Sequence, residues 1–219
     1  MKHILTWANN LAELGNIKSI IPLKGDASSR TFYRIIVDEK SFIIVEDHDS
    51  INLNKFLSTA TLLKTNNVPC PNIYNNSEQL ALIEDLGTVH LIDHADLEKN
   101  YYRAIDTIFQ IQKIKTNELE VFDKKSISNQ FNILEQFFLA PLSSKYSKII
   151  SDANNFITNK ILKQKYVTTH FDFHSKNIMI DHNNDIRIID FQDLIISPNN
   201  YDLCSLLDDV YNQLSARLK

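Results

Sequence analysis

Apolar positions in the first 85 residues predict a small sheet that carries helices. Two runs rich in β-branched and aromatic residues, 31–37 and 41–45, predict strands joined by a turn at 38–40. A helix face follows, because apolar side chains recur at the spacing i, i+3, i+4 and i+7; these are Leu53, Phe56, Leu57, Ala60 and Leu63. The other elements predicted here are a helix at 3–14 and extended segments at 17–23, 72–74 and 80–83.

After Gly87 most apolar residues recur at helical spacing. Three strand-like runs interrupt the helices and frame two polar loops, and a last helix is predicted to continue to the chain end. The predicted helices cover 101–109, 127–138, 146–162 and 203–214, and the strands cover 166–169, 178–181 and 186–189. The pattern therefore predicts an α+β fold.

Composition and charge restrict the class of protein. The 219 residues are 43% hydrophobic and 23% charged, as in ordinary globular proteins. A net charge of -4 does not indicate a basic surface that would bind nucleic acid. No apolar run approaches the roughly 20 residues of a membrane span. We expect a cytoplasmic protein with no membrane or nucleic-acid partner, while its oligomeric state is not predicted. Cys70 and Cys204 lack a C-x-x-C partner, which argues against a zinc site.

One loop carries the strongest chemical signal. The sequence from His170 to Asn177 contains Asp172, and Asp190 follows thirteen residues after Asn177. Phosphoryl transfer needs a carboxylate beside the attacking hydroxyl and oxygen ligands that place magnesium against the phosphates. A hairpin between the two motifs would bring Asp190 beside Asn177. The spacing therefore predicts Asp172 as the base and Asn177 and Asp190 as magnesium ligands.

This loop resembles that of the protein-kinase-like superfamily, and within it the aminoglycoside phosphotransferase family, which has His-Gly-Asp-x-His-x-x-Asn. The chain is more similar still to bacterial anomeric kinases of N-acetylmuramate and N-acetylglucosamine. Four stretches carry this likeness in the family's order: 25–34, 84–87, 170–177 and 190–207.

The resemblance implies a two-lobed protein-kinase-like fold, with a small antiparallel-sheet lobe at 1–87 that binds nucleotide and a mainly helical catalytic lobe at 88–219. It implies ATP and Mg²⁺ as cofactors and a small hydroxylated acceptor, an amino sugar of cell-wall recycling. The nucleotide-binding residues it implies are Gly25, Asp26, Ser28, Arg30, Glu84 and Leu86, and the acceptor-binding residues are His174, Gln192 and Asp193.

Three of the implied roles have a physical basis that can be stated. Residues 25–30 would lie over the nucleotide phosphates, with Arg30 or Arg34 meeting negative charge, although a plain surface hairpin is the alternative. The backbone of 84–86 would hydrogen-bond adenine. Asp202 would brace the catalytic loop, yet an Asp there is also an ordinary charge at a helix N-terminus.

The chain departs from the family's pattern in four places. Phe171 replaces a glycine, and we expect it to be tolerated only with φ < 0. The phosphate-gripping lysine of the third strand is missing from 41–47, and Asp208 stands where the sugar kinases tend to carry Arg. The chain ends at Lys219, before further helices that enclose the sugar in the family. We therefore expect an incomplete C-lobe, which leaves catalytic competence open.

Two alternative functions are compatible with the same residues. A metal-dependent hydrolase could use His170, Asp172 and His174 as ligands, but this leaves Asn177 and Asp190 without a role. A degenerate, non-catalytic remnant of the kinase fold is the second alternative, and it predicts a folded protein that does not bind ATP with magnesium.

Overall fold

The computed structural model describes residues 2–11, 15–23, 30–212 and 214–215, with side chains at all of these except 140–145. They form an α+β fold, which confirms the predicted class. The helices are α1 (Lys2–Asn9), α2 (Ser50–Thr65), α3 (Leu97–Gln112), α4 (Lys124–Leu134), α5 (Ala140–Ile161) and α6 (Tyr201–Leu207). The strands are β1 (Ile17–Leu23), β2 (Thr31–Val37), β3 (Lys40–Glu46), β4 (Ile73–Asn76), β5 (Leu80–Glu84), β6 (Tyr166–Thr169), β7 (Ile178–Ile180), β8 (Ile186–Ile188) and β9 (Ile195–Pro198).

The chain forms two compact units, and the first comprises the described residues of 1–104 together with 175–192. Five of its strands make one antiparallel sheet in the order β1-β2-β3-β5-β4. Side chains alternate between the faces of a strand, so Tyr33, Ile35 and Val37 share one face of β2. On that face they form a buried core with Ile4 and Ala8 of α1. The small antiparallel sheet predicted from the sequence is confirmed.

The β7–β8 hairpin belongs to this first unit and is tied to it by one arginine. Arg187 of β8 donates to Asp181 Oδ2 at 3.1 Å and to the Cys70 carbonyl at 2.8 Å. It also donates to the Glu84 carboxylate at the end of β5. The Arg187 side chain is only 14% exposed and that of Asp181 only 5%. These charge-assisted bonds join the hairpin to the end of the sheet.

The second unit comprises 105–174 and the described residues of 193–219. Its strands β6 and β9 pair antiparallel, and Val121 adds a parallel bridge to Ile196. The buried Thr168 hydroxyl of β6 donates to the Ile114 carbonyl at 2.9 Å, which fixes the strand to the segment after α3. Within the ranges that the structure describes, no helix is both long and apolar enough to cross a membrane.

Two elements near the chain end differ from the prediction. The last helix was expected at 203–214, but α6 spans only Tyr201–Leu207. Beyond it the Asp209 carboxylate accepts the Tyr211 N–H at 2.7 Å, a local bond that competes with helix formation. Residues 195–198 form β9, a strand that was not among those predicted from the sequence. Proline is compatible with the end of a strand in a two-stranded sheet, since it removes only an edge donor.

The two compact units do not coincide with the predicted lobes, 1–87 and 88–219. The hairpin at 175–192 and α3 as far as Ala104 group with the first unit. This grouping follows from long-range contacts such as those of Arg187, which sequence order does not reveal. The division into a nucleotide-binding lobe and a catalytic lobe is a statement about function and stays a prediction.

Replacing Arg187 by Met should destabilise the first unit by about 3–5 kcal/mol, because it leaves the carboxylates of Asp181 and Glu84 without their cation. Urea unfolding would measure the loss. The matched control is Lys148→Met, which breaks a pair with Asp152 whose side chains are 89% and 65% exposed. That change should have little effect. Equal stability of the two variants would contradict the assignment of Arg187 as a structural tie.

Candidate active site

The predicted catalytic loop begins where β6 ends, and a buried carboxylate holds its first residues. Asp202, in the first turn of α6, is 0% exposed. Its two oxygens accept the backbone N–H groups of His170 at 2.7 Å and Phe171 at 2.9 Å. The side chain therefore points back at the loop. Of the two alternatives that the sequence left open for Asp202, this geometry supports the brace.

The electrostatic setting of Asp202 is unusual for a carboxylate. The pKa of Asp202 is raised to about 6, chiefly by burial and to a smaller extent by the nearby charge of Asp172, while the two backbone hydrogen bonds act in the opposite direction. Removal from water disfavours the ionised form more than two N–H donors favour it. The Asp202 carboxyl group therefore keeps its proton to a higher pH than an ordinary Asp does.

The prediction for Phe171 is wrong: its φ is +73°, in the left-handed region. A residue with a Cβ there costs about 1–2 kcal/mol. The Phe171 ring stacks on Tyr201, with centroids 4.5 Å apart and planes at 15°, and lies 5.3 Å from Phe122. Such aromatic pairs each contribute about 0.5–1.5 kcal/mol beyond burial. Tertiary packing therefore offsets the backbone strain that glycine would avoid.

Asp172 and His174 lie together within the second unit. The Asp172 side chain is 56% exposed, and its Oδ2 is 3.3 Å from His174 Nε2. The His174 ring is in turn 5.0 Å from the ring of Tyr211. An exposed carboxylate on a loop held from behind can receive a hydroxyl proton, which is the chemistry expected of residue 172.

Asn177 and Asp190 belong to the first unit, at the two ends of the β7–β8 hairpin. The backbone carbonyl of Asn177 accepts the Ile189 N–H at 2.9 Å, so the hairpin sets the register of the two segments. Asn177 is buried at 8% exposure, whereas Asp190 is exposed. The chain passes from the second unit to the first between His174 and Ser175.

The backbone at Asp190 is also left-handed, with φ of +60°. The next residue, Phe191, is fully buried and stacks on Phe56 of α2, with centroids 5.1 Å apart. Gln192 Nε2 donates to Asp190 Oδ1 at 2.9 Å. Asp190 is therefore held between the buried ring of Phe191 and the end of strand β8, and this fixes the position of its backbone.

The donor types at 177 and 190 suit magnesium. An amide oxygen and a carboxylate oxygen are hard ligands of the kind that Mg²⁺ takes, usually only one or two from the protein beside water and phosphate. The hydrolase alternative needs a richer set of ligands. Across the described ranges, no group of three or more His, Cys, Asp or Glu side chains could hold a metal ion. The residues thus fit magnesium better than a zinc site built on His170, Asp172 and His174.

The residues predicted to bind nucleotide are only partly described. Gly25, Asp26 and Ser28 lie outside the described residues. Arg30 donates to Asp47 Oδ2 at 2.9 Å with both side chains under 10% exposed, and it lies over the Phe56 ring. These contacts give Arg30 a structural partner, and its role toward phosphate stays a prediction.

The predicted hinge, 84–86, is held at its first residue. The Glu84 N–H donates to the Asn72 carbonyl at 2.9 Å, and the Glu84 carboxylate accepts from the Asn72 backbone at 3.0 Å and from its side chain at 2.7 Å. Leu86 is 4% exposed. The third acceptor-binding residue of the prediction, Asp193, is exposed and belongs to the second unit.

Sequence reasoning missed two features around these residues. The aromatic cluster of Phe122, Phe171 and Tyr201 joins three distant segments, and no periodicity indicates it. The second feature is the pairing of Arg34 with Asp85 at 2.6 Å. The sequence places an Arg on β2 and an Asp after β5, but only the strand order reveals that one can reach the other.

A five-stranded antiparallel sheet, followed by helices and by a loop and hairpin that present Asp172, Asn177 and Asp190, defines the protein-kinase-like class of phosphotransferase folds. The chain belongs to the phosphotransferase enzyme family, whose model matches residues 19–219. The predicted superfamily is therefore confirmed.

Two curated relatives carry the name N-acetylmuramate/N-acetylglucosamine kinase. The protein from Neisseria meningitidis serogroup B is 23% identical over 201 residues, which cover 85% of this chain and 60% of the relative. The protein from Pseudomonas aeruginosa is 22% identical over 208 residues, covering 88% and 60%. The chain thus spans about three fifths of the length of these relatives.

Solved structures share the fold at low identity. An ADP-bound aminoglycoside phosphotransferase, APH(2'')-Ib, has a TM-score of 0.73 at 15% identity, covering 99% of this chain and 78% of its own. The choline kinase LicA from Streptococcus pneumoniae has a TM-score of 0.70 at 12% identity, covering 100% and 78%. Likeness at this level establishes the protein-kinase-like fold.

Two substitutions at Phe171 separate strain from packing. Phe171→Ala and Phe171→Gly both lose the stack on Tyr201, but only glycine relieves the positive φ. The Gly variant should therefore be the more stable of the two by about 1 kcal/mol in urea unfolding. At Phe173, which is fully buried and has no positive φ, the order should reverse. The same order at both positions would contradict the strain at Phe171.

The raised pKa of Asp202 predicts how stability depends on pH. The folded protein keeps this proton up to about pH 6, whereas an ordinary Asp releases it near 3.8. The contribution of Asp202 to stability should therefore fall as pH rises through this window. In Asp202→Asn, the loss of unfolding free energy between pH 4 and pH 7 should be smaller than in the parent protein. Asp123→Asn is a contrasting control, since hydrogen bonds from Ser126 lower the pKa of that group. An unchanged pH slope in the Asp202 variant would refute the assignment.

Proposed function

We propose that the protein is an ATP-dependent phosphotransferase that transfers phosphate to a hydroxyl group of a small acceptor. The observation that carries this proposal is the exposed carboxylate of Asp172 on a loop whose backbone is held by the buried Asp202. Membership of the phosphotransferase enzyme family supports it. So do the hard oxygen donors of Asn177 and Asp190, five and eighteen positions after Asp172 in the chain.

In this proposal each residue has one task. Asp172 accepts a hydrogen bond from the acceptor hydroxyl and takes its proton as the oxygen bonds to the γ-phosphorus and ADP leaves. Asn177 and Asp190 would hold magnesium, which would supply positive charge to the phosphate oxygens. Asp202 keeps the loop backbone in place, so that Asp172 does not have to be reorganised at the moment of transfer.

The acceptor in this proposal is an amino sugar of cell-wall recycling, N-acetylmuramate or N-acetylglucosamine, and the protein acts in the cytoplasm. The names of both curated relatives support this acceptor class. His174 would contact it, because His174 lies beside Asp172. Gln192 and Asp193 would complete the contacts.

The predicted nucleotide contacts form the other half of the proposal. Residues 25–30 and Arg30 would face the phosphates, and the backbone of Glu84 and Leu86 would bind adenine. Without the lysine of the third strand, phosphate binding would rely on backbone N–H groups, on Arg30 and on magnesium. The deciding measurement is calorimetric binding of ATP with and without Mg²⁺, followed by a phosphate-transfer screen against amino sugars, choline and an aminoglycoside.

Two variants should fail in different ways. Asp172→Ala should lower the rate of transfer by about 10²–10⁴-fold with nearly unchanged nucleotide affinity. Asp190→Ala should instead remove the dependence of ATP binding on magnesium. Asp152→Ala, at an exposed helix position, is the control and should change neither quantity.

The outcomes distinguish the alternatives. Equal loss of affinity in both variants would refute the separate roles of Asp172 and Asp190. A folded parent protein that does not bind ATP with Mg²⁺ would identify a non-catalytic remnant of the fold. A third outcome is that the chain binds ATP but does not transfer phosphate. If transfer appears when the C-terminal part of a full-length relative is joined to the chain, the proposed reaction is supported.

A further inference from the structure

The segment that follows β5, residues 85–87, is hydrogen-bonded to the guanidinium of Arg34. Arg34 Nε donates to Asp85 Oδ2 at 2.6 Å and Arg34 Nη2 donates to Asp85 Oδ1 at 2.9 Å. The same Nη2 donates to the Gly87 carbonyl at 2.8 Å, while the Gly87 N–H donates to Asp85 Oδ1 at 3.0 Å. Four hydrogen bonds therefore close a small ring around the backbone of 85–87.

This arginine reaches the segment across a neighbouring strand. Arg34 is in β2, which is separated from β5 by β3. In register it lies opposite Ile43, which in turn lies opposite Ile83. Adjacent strands are about 4.8 Å apart, so the side chain has to extend over β3 to reach Asp85. Strand alternation places it on the sheet face opposite the core formed with α1.

The ion pair between Arg34 and Asp85 is largely shielded from solvent. Its side chains are 20% exposed for Arg34 and 3% for Asp85. Burial by itself raises the pKa of Asp85, but hydrogen bonds from Arg34, the Gly87 N–H and Ser41 outweigh it and hold the pKa below its usual value. A bidentate arginine–carboxylate pair of this kind fixes geometry as well as charge.

Two further features restrict the same segment. Gly87 has φ of +91°, and a Cβ there would lie 3.1 Å from Cε1 of His182. On the side of β5, Arg187 donates to the Glu84 carboxylate. The backbone from Glu84 to Gly87 is therefore fixed at each end and from one face by residues that come from β2 and from the hairpin.

We propose that Arg34 is a positioning residue for the nucleotide base, which holds the backbone of 84–87 ready for an adenine edge before the nucleotide arrives. The inference rests on the proposed function, since it presumes that this segment binds ATP. It assigns Arg34 to the base, whereas the sequence suggested a contact with phosphate charge. Three of the five N–H donors of Arg34 are already bound to the Asp85 carboxylate and the Gly87 carbonyl, which directs the guanidinium to this segment.

Arg34→Lys is the central variant, because lysine keeps the charge but cannot form the fork and the carbonyl bond together. We expect the affinity for ATP with Mg²⁺ to fall about tenfold, while that for inorganic tripolyphosphate with Mg²⁺, which has no base, stays unchanged. Calorimetric titration measures both. The preference for ATP over GTP should fall as well, since only an ordered backbone discriminates between base edges.

The chain offers a matched control. Arg103 also binds a carboxylate and a backbone carbonyl within the same unit, Asp185 at 3.1 Å and the Asn184 carbonyl at 2.8 Å. Arg103→Lys should leave the ratio of ATP to tripolyphosphate affinity unchanged. If Arg34→Lys does not fold by circular dichroism, Gly87→Ala tests the same segment, because a Cβ is strained at φ of +91° and would lie tight against His182; it should produce the same selective loss.

The possible results separate the two proposals. A parent protein that binds neither ATP nor tripolyphosphate would overturn the proposed function. A parent protein that binds both, together with an Arg34 variant that loses both affinities equally, would overturn only the positioning role and favour a phosphate contact. Unchanged affinities in both the Arg34 and the Gly87 variants would also overturn it.

Discussion

The brace from Asp202 to the backbone of His170 and Phe171 is the interaction on which the proposed chemistry depends. A loop has many conformations available, and ordering one residue costs about 1–2 kcal/mol of entropy. Here two N–H groups are bound by one buried carboxylate, and the adjoining Phe171 is stacked on Tyr201, next to Asp202 in sequence. Helix α6 therefore fixes both the hydrogen bonds and the packing that set the direction of Asp172.

In the first unit, arginine side chains hold segments in one conformation. Arg30, Arg34 and Arg187 each hold a mostly buried carboxylate at a strand end or in the segment just beyond it. Leaving one charge of such a pair without its partner is costly, whereas an intact pair adds little net stability. These pairs consequently specify which segments lie together more than they strengthen the fold. Arg34 specifies in this way the position of the segment after β5, and Arg187 specifies that of the β7–β8 hairpin.

Much of the fold was predictable because it follows local rules. The strands β1, β2 and β3 were predicted to within one residue at each end, and helix α2 was predicted at the right place from the helical spacing of Leu53 to Leu63, although it begins at Ser50. The end of α6 and the strand β9 were not, because the helix end depends on the hydrogen bond between Asp209 and Tyr211 and the strand on its pairing with β6. Among the candidate site residues, the roles of Asp172, Asn177 and Asp190 were predicted from their spacing and stay predictions. The pairing of Arg34 with Asp85 required knowledge of the strand order.

Phe171 shows why a motif can change without losing its geometry. Glycine satisfies a positive φ locally, so a sequence with glycine there needs no help from the rest of the protein. Phenylalanine satisfies it only if neighbours from other segments compensate, and Phe122 and Tyr201 do so here. The rule that a bulky residue excludes φ > 0 fails because it treats the residue as isolated. A departure from a glycine motif is therefore informative about packing, since it predicts that partners exist to hold the replaced residue.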